Sequence, residues 1–147
     1  MLQYFAYVNK SEFKEAIHVG KDGHFQLVNE SLIYSLVPDL AHDISPQIEL
    51  LLNESRVLFY TGQMDTVFPA TNLQAYFRSL NWTHDSEYRN APRVPWTPYD
   101  GCPGMCGYKT TVHNFTEVIL FGAGHYAAVD KPDEAYYLMT EFITPNK

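Results

Sequence analysis

The residues best suited to chemistry are Asp65 and His125, because each follows a short apolar run that ends on small residues. The runs cover residues 57–60 and 118–121 and do not alternate in polarity, which is typical of strands buried on both faces of a parallel sheet. Open sheets of parallel strands place their ligands at the carboxyl ends of those strands. The sequence therefore predicts that a carboxylate and an imidazole meet at one edge of a sheet.

A paired aspartate and histidine can support nucleophilic catalysis. The carboxylate accepts the Nδ1 proton of the imidazole, fixes its tautomer and stabilises the imidazolium that forms when a serine is deprotonated. Each residue alone also has a structural interpretation. His125 could cap or pack a loop, and Asp65 could be a turn residue or a helix N-cap. Their shared position after two similar strands favours the catalytic interpretation.

Four stretches in a fixed order carry a family resemblance. They are a Y-x-G-x-x-D-x-x-x-P pattern at Tyr60, Gly62, Asp65 and Pro69, a G-x-G-H pattern at 122–125 followed by Lys131-Pro132 and a predicted helix at 133–143, and the segments 9–20 and 80–96. Together they resemble the serine carboxypeptidases, and the last segment is similar to the vitellogenic-like branch. The resemblance covers most of the chain and corresponds to the C-terminal third of a full-length member.

The resemblance implies an α/β fold, namely the C-terminal part of an α/β-hydrolase. We expect parallel strands with flanking helices, interrupted by an irregular antiparallel excursion over residues 81–113 whose tip lies at 100–107. No internal repeat, linker or low-complexity run divides the chain. We therefore expect residues 1–147 to form a single partial domain.

The resemblance also implies release of C-terminal amino acids from peptides, with His125 as general base and acid and Asp65 as the residue that orients it. No cofactor is expected. None of the seven serines lies in the G-x-S-x-G pattern that builds the nucleophile elbow. The chain alone should therefore be inactive, and a separate N-terminal chain is a candidate source of the serine. A non-catalytic binding or regulatory remnant of a carboxypeptidase is the alternative.

Tyr126 is a candidate substrate-binding residue because it follows the histidine directly. Tyr126, Ala127 and Ala128 stand where the family usually has Met-x-Pro, near the leaving-group side of the scissile bond. This difference leaves the leaving-residue preference open, and it favours the binding-module alternative to some extent.

The composition limits the cellular setting and the partners. The net charge of −7, from 17 acidic and 10 basic residues, disfavours nucleic-acid binding. No apolar run is long enough to span a membrane, and residues 1–8 do not form a convincing signal peptide. Five N-x-S/T sites among eight asparagines exceed the chance expectation of about one and indicate a secreted or lysosomal glycoprotein. The predicted glycosylation sites are Asn9, Asn29, Asn53, Asn81 and Asn114.

Cys102 and Cys106 are the only cysteines and lie in a turn-forming stretch. A small disulfide ring is plausible in an oxidising compartment, and pairing with cysteines outside the chain is the alternative. The pair offers two of the four ligands that structural zinc needs, so no metal site is predicted. Because His84 and His113 fall in predicted loops, they are given no role.

The remaining elements follow from capping residues, prolines and apolar spacing. The sequence predicts a helix at 11–17 capped by Ser11, an extended piece at 25–28, a helix at 31–36 that ends before Pro38, a helix opened by Ser45-Pro46, and a helix after Pro69. In the last of these, apolar residues at 73, 76, 77 and 80 should cover the sheet.

Overall fold

The computed structural model describes residues 2–20, 22–102 and 104–144. The chain divides into two compact units, residues 1–43 and residues 44–147. The expectation of a single domain stays a prediction. None of the helices in the described ranges is long and apolar enough to cross a bilayer.

The first unit is helical and contains α1 (Leu2–Val8), α2 (Ser11–Ala16) and α3 (Glu30–Leu40). The Asn29 side chain caps α3 by accepting a hydrogen bond from the backbone N–H of Leu32 at 3.1 Å. The predicted Ser11 cap is wrong, because Lys10 occupies the N-cap of α2 and makes no side-chain capping bond. Residues 25–28 form no strand, so the predicted extended piece is absent from the sheet.

The helix α3 also continues through Pro38, whereas the sequence predicted an end before it. Proline lacks a backbone N–H and removes one helical hydrogen bond, but the next turn can still close. The backbone N–H of Ala41 donates to the carbonyl of Val37 at 3.0 Å, which shows that the helix resumes beyond the proline.

The second unit is built on one four-stranded sheet. Its strands are β1 (Val57–Gly62), β2 (Val94–Trp96), β3 (Gly107–Val112) and β4 (Phe115–Leu120), in the spatial order β1-β4-β3-β2. The β1 and β4 strands are parallel, and the β3/β4 and β2/β3 pairs are antiparallel. The predicted α/β class, its parallel strand pair and its antiparallel excursion are therefore confirmed.

Helices cover both faces of this sheet. Alternate residues of β4 point to opposite sides and therefore pack against different helices. They are α4 (Ser45–Glu54), α5 (Ala70–Ser79), α6 (Asp85–Asn90), α7 (Ala127–Asp130) and α8 (Pro132–Ile143). On one face, Val118 and Leu120 pack with Leu138 of α8. On the other face, Phe115 packs with Leu52 of α4, Phe77 of α5 and Tyr88 of α6.

Candidate functional site

The parallel strands β1 and β4 end level with each other, since Gly62 is the register partner of Leu120. The loops that follow are hydrogen-bonded together. The N–H of Gln63 donates to the Leu120 carbonyl at 2.8 Å, and the N–H of Met64 donates to the Ala123 carbonyl at 2.9 Å. Gly62 permits this approach, because a Cβ there would lie 2.3 Å from the carbonyl oxygens of both Ala123 and Gly124.

Asp65 is held in a turn at the end of β1. Its Oδ1 accepts hydrogen bonds from the backbone N–H groups of Val67 at 2.8 Å and Phe68 at 3.0 Å, which leaves Oδ2 for another partner. The side chain is 5% exposed. The Phe68 amide, together with His125 and the Val67 amide, holds the pKa of Asp65 below its usual range against the opposing effect of burial. The carboxylate is therefore ionised and fixed in orientation.

His125 lies beside this carboxylate, with its Nδ1 3.1 Å from Asp65 Oδ2. The imidazole stacks obliquely near the Phe68 ring at a centroid distance of 5.6 Å, and its side chain is 40% exposed. The loop before it turns at Gly122, whose φ of +68° lies in the left-handed region. The structure thus brings together the two residues that the sequence pairs.

Asp130 supports the same loop and was missed by the sequence analysis. Its Oδ2 accepts a hydrogen bond from the backbone N–H of Gly124 at 2.7 Å, directly before His125. An acid at the end of a one-turn helix gives no sequence signal of its own. Only the position just ahead of Lys131-Pro132 could have drawn attention to it.

The arrangement can act as a base. When Nδ1 carries the proton that it donates to Asp65, the other ring nitrogen, Nε2, is free to accept one. His125 lines an open, mainly apolar groove of about 560 Å³ that also includes Phe59, Tyr126 and Val129. Tyr126 is 73% exposed. Of the residues that the structure describes, no serine lines this groove.

The two cysteines lie at the tip of the antiparallel excursion. Cys102 and Cys106 are joined by a disulfide with their Cα atoms 5.9 Å apart, and both residues are buried. Of the two pairings considered from the sequence, the structure has the one within the chain.

The predicted glycosylation sites differ in their surroundings. Asn29, Asn53, Asn81 and Asn114 are exposed. Asn9 is half-buried, and its side-chain nitrogen donates to the carbonyls of Phe5 at 3.0 Å and Phe25 at 3.3 Å. Modification at all five positions stays a prediction, with Asn9 the least accessible nitrogen.

A buried acid, Glu117, lies on β4 away from the groove and was not singled out from the sequence. Its Oε2 accepts hydrogen bonds from the Tyr88 hydroxyl at 2.8 Å and the Gln74 amide at 3.3 Å, whereas Oε1 is buried without a partner. Burial raises the pKa of this carboxyl above its usual range. Glu117 therefore affects stability rather than the chemistry at His125.

The chain is similar to known proteins over nearly its whole length. A family model for serine carboxypeptidases matches residues 2–145. The chain is 28% identical over 144 residues to a human "Probable serine carboxypeptidase CPVL", covering 97% of this chain and 29% of that protein. It is 30% identical over 141 residues to an Apis mellifera "Venom serine carboxypeptidase", covering 96% of this chain and 29% of the relative. It is also 30% identical over 146 residues to an Aedes aegypti "Vitellogenic carboxypeptidase", covering 95% of this chain and 29% of the relative.

The chain thus spans less than a third of the length of these relatives. The family match nevertheless includes β1, β4, the loops that follow these two strands, and helix α8. The chain belongs to the serine carboxypeptidase family.

Proposed function

We propose that this chain supplies the aspartate and histidine of a serine-type carboxypeptidase, which releases C-terminal amino acids from peptides. The observation that carries the proposal is the 3.1 Å contact between His125 Nδ1 and the buried, doubly hydrogen-bonded Asp65 carboxylate. A loop histidine that only packs would not need a fixed, ionised carboxylate on Nδ1. The family membership supports the same roles for the two residues.

In the proposed reaction, His125 moves protons and Asp65 orients it. Nε2 of His125 takes the proton from a serine hydroxyl as the serine oxygen attacks the carbonyl carbon of the last peptide bond. The imidazolium is stabilised by Asp65 and returns the proton to the nitrogen of the leaving amino acid. Water, activated by the same imidazole, then releases the peptide from the acyl-enzyme.

The nucleophile would come from outside this chain, on an N-terminal segment that carries the G-x-S-x-G elbow. Two features support such a partner. Among the described residues, β1 has a strand neighbour on one side only, so its other edge can accept another strand. The groove beside His125 also exposes apolar side chains, including Phe59 at 36% and Val129 at 76%.

Tyr126 would contact the substrate close to the scissile bond. It follows His125 directly, is largely exposed and lines the groove. Its large aromatic side chain would favour an apolar residue on the leaving side of the bond.

We further propose that the protein is a secreted or lysosomal glycoprotein. The disulfide between Cys102 and Cys106 supports an oxidising compartment. The exposure of Asn29, Asn53 and Asn81, together with Asn114, leaves four acceptor sites open to modification.

Reconstitution tests the proposal. The chain is co-expressed with an N-terminal carboxypeptidase segment that carries the elbow, and release of the terminal amino acid from a blocked dipeptide is followed at acidic pH. We expect no activity from the chain alone and clear activity from the pair. Asp65→Asn should reduce kcat on the order of 10⁴-fold, and His125→Ala at least as much. His42→Ala, at an exposed histidine of the first unit, is the matched control and should keep full activity.

The same experiment separates the alternative, a non-catalytic binding or regulatory module. A stable complex that stays inert with any N-terminal segment would favour that module and refute the catalytic proposal. Activity from the chain alone, lost in His125→Ala, would refute the claim that the nucleophile lies elsewhere.

A further inference from the structure

A second cluster of ionisable side chains consists of His84, Glu87 and His113, none of which lines the groove beside His125. His84 Nδ1 is 2.9 Å from Glu87 Oε1, and His113 Nε2 is 3.0 Å from Glu87 Oε2. The two imidazole rings stack with centroids 3.4 Å apart. The excursion's β-strands and disulfide loop separate the two histidines along the chain, so only the fold brings them together.

The backbone fixes all three positions. His84 is the N-cap residue of α6, and Glu87 lies in the first turn of that helix. α6 is anchored by the buried Tyr88, which packs against Phe115 at a ring distance of 5.2 Å. His113 lies in the tight turn between β3 and β4, with a φ of +49°. A left-handed conformation is uncommon for a residue with a Cβ, and here it presents the imidazole on the side of Glu87.

The donor set matches the preference of one class of ion. Two imidazole nitrogens and a carboxylate oxygen form a three-ligand set that binds Zn²⁺ and leaves a fourth position for water. The three ligand atoms lie within 4.8 Å of one another. Zinc bonds of 2.0–2.1 Å place tetrahedral ligands about 3.3 Å apart, so closure needs the ligand atoms to approach one another by up to about 1.5 Å. The side chains of His113 and Glu87 are 49% and 58% exposed and can move by that amount.

We propose that His84, Glu87 and His113 form a Zn²⁺ site that links the start of α6 to the β3–β4 turn. The site would revise the sequence-based expectation of no metal, which rested on the two cysteines and the absence of a matching histidine pair near them. Glu87 already lies between the two imidazoles, with one carboxylate oxygen within hydrogen-bond distance of each ring.

Calorimetric titration of the 147-residue chain with ZnCl₂ at about pH 7.5, where free imidazoles are largely neutral, tests the site. We expect one Zn²⁺ per chain with a Kd below about 10 µM. Loss of a supporting group outside the ligand set typically costs 10–100-fold in affinity, so His113→Asn and Glu87→Gln should each weaken binding at least about tenfold. Both side chains are exposed, so these variants should fold normally. His42→Asn is the matched control and should bind as the unchanged chain does.

A second readout identifies the ligands. Co²⁺ bound to the unchanged chain should give the intense visible absorption of a four-coordinate site, and His84→Asn should abolish it. The inference is overturned if the unchanged chain does not bind Zn²⁺ with a Kd below about 10 µM. It is equally overturned if His113→Asn and Glu87→Gln bind within about threefold of the unchanged chain, or if His42→Asn loses as much affinity as they do.

Discussion

Replacing Gly62 with alanine should push apart the two loops that carry Asp65 and His125. Gly62 is the last residue of β1, and the loop that follows β4 passes directly over the α-carbon of Gly62. A Cβ at this position would lie 2.3 Å from two backbone carbonyl oxygens, those of Ala123 and Gly124. Neither oxygen belongs to a flexible side chain, so the backbone itself must move.

The size of the movement follows from the contact distances. Real Cβ contacts essentially never fall below 3.0 Å, so the loop must shift by about 0.7 Å. A shift of this size away from β1 would lengthen the 3.1 Å contact between His125 and Asp65 to about 3.8 Å, beyond hydrogen-bond range. Overpacking of this kind costs about 1–3 kcal/mol. We expect a value of about 2–3 kcal/mol here, because two rigid carbonyls are involved.

Urea unfolding followed by tryptophan fluorescence measures this loss. The two tryptophans, Trp82 and Trp96, are both buried in the second unit, so the signal reports on the sheet. Gly104→Ala is the matched control. Its φ is +80° but nothing lies within 4 Å of its Cβ position, so it should cost only about 1 kcal/mol of backbone strain. The reasoning is refuted if Gly62→Ala destabilises no more than Gly104→Ala at an unchanged m-value.

Three further changes test other features. Glu117→Gln should stabilise the protein increasingly as the pH rises from about 4 to 7. The pKa of the buried carboxyl is raised in the folded chain, so its ionisation favours the unfolded chain. Urea unfolding measures the effect, and an equal change in the free energy of unfolding at both pH values would contradict this. Asp130→Ala should lower kcat of the reconstituted enzyme roughly tenfold with little change in KM, because Asp130 holds the backbone next to His125. Asp133→Ala, in the first turn of α8, is the control and should leave kcat unchanged. Equal losses of kcat in the two variants would show a general effect of negative charge. Replacing Cys102 and Cys106 together by alanine should lower the free energy of unfolding by about 2 kcal/mol, because the unfolded chain then regains the entropy lost on closing this short loop. An unchanged urea midpoint would show that the disulfide does not contribute to stability.

The elements with strong local signals could be predicted from the sequence. The apolar runs located β1 and β4, and their parallel pairing followed because two similar strands end before a polar residue. Proline marked the start of α4, where its missing N–H costs nothing, and the family resemblance predicted α8 after Lys131-Pro132. The Asp65–His125 pair could be predicted for the same reason, since its geometry depends on strand ends rather than on long-range packing.

The features that were missed depend on tertiary contacts. Pro38 was expected to end a helix, but neighbouring turns keep α3 intact on both sides of it. Glu117 lies within an apolar strand, and nothing local shows that α5 and α6 cover that face. The convergence of His84 and His113 requires the whole antiparallel excursion to fold back on itself. Local sequence patterns carry no information on any of these.

Within the part of the chain that the structure describes, β1 pairs with a strand on one side only, which affects how the purified chain behaves. An edge of unpaired amide and carbonyl groups, next to the exposed ring of Phe59, is a template on which a second copy can add its own β1 and extend the sheet. Growth of this kind depends on the square of the concentration at its first step. The purified chain should therefore remain monomeric only when dilute, and the proposed N-terminal segment would prevent this growth by occupying the edge first.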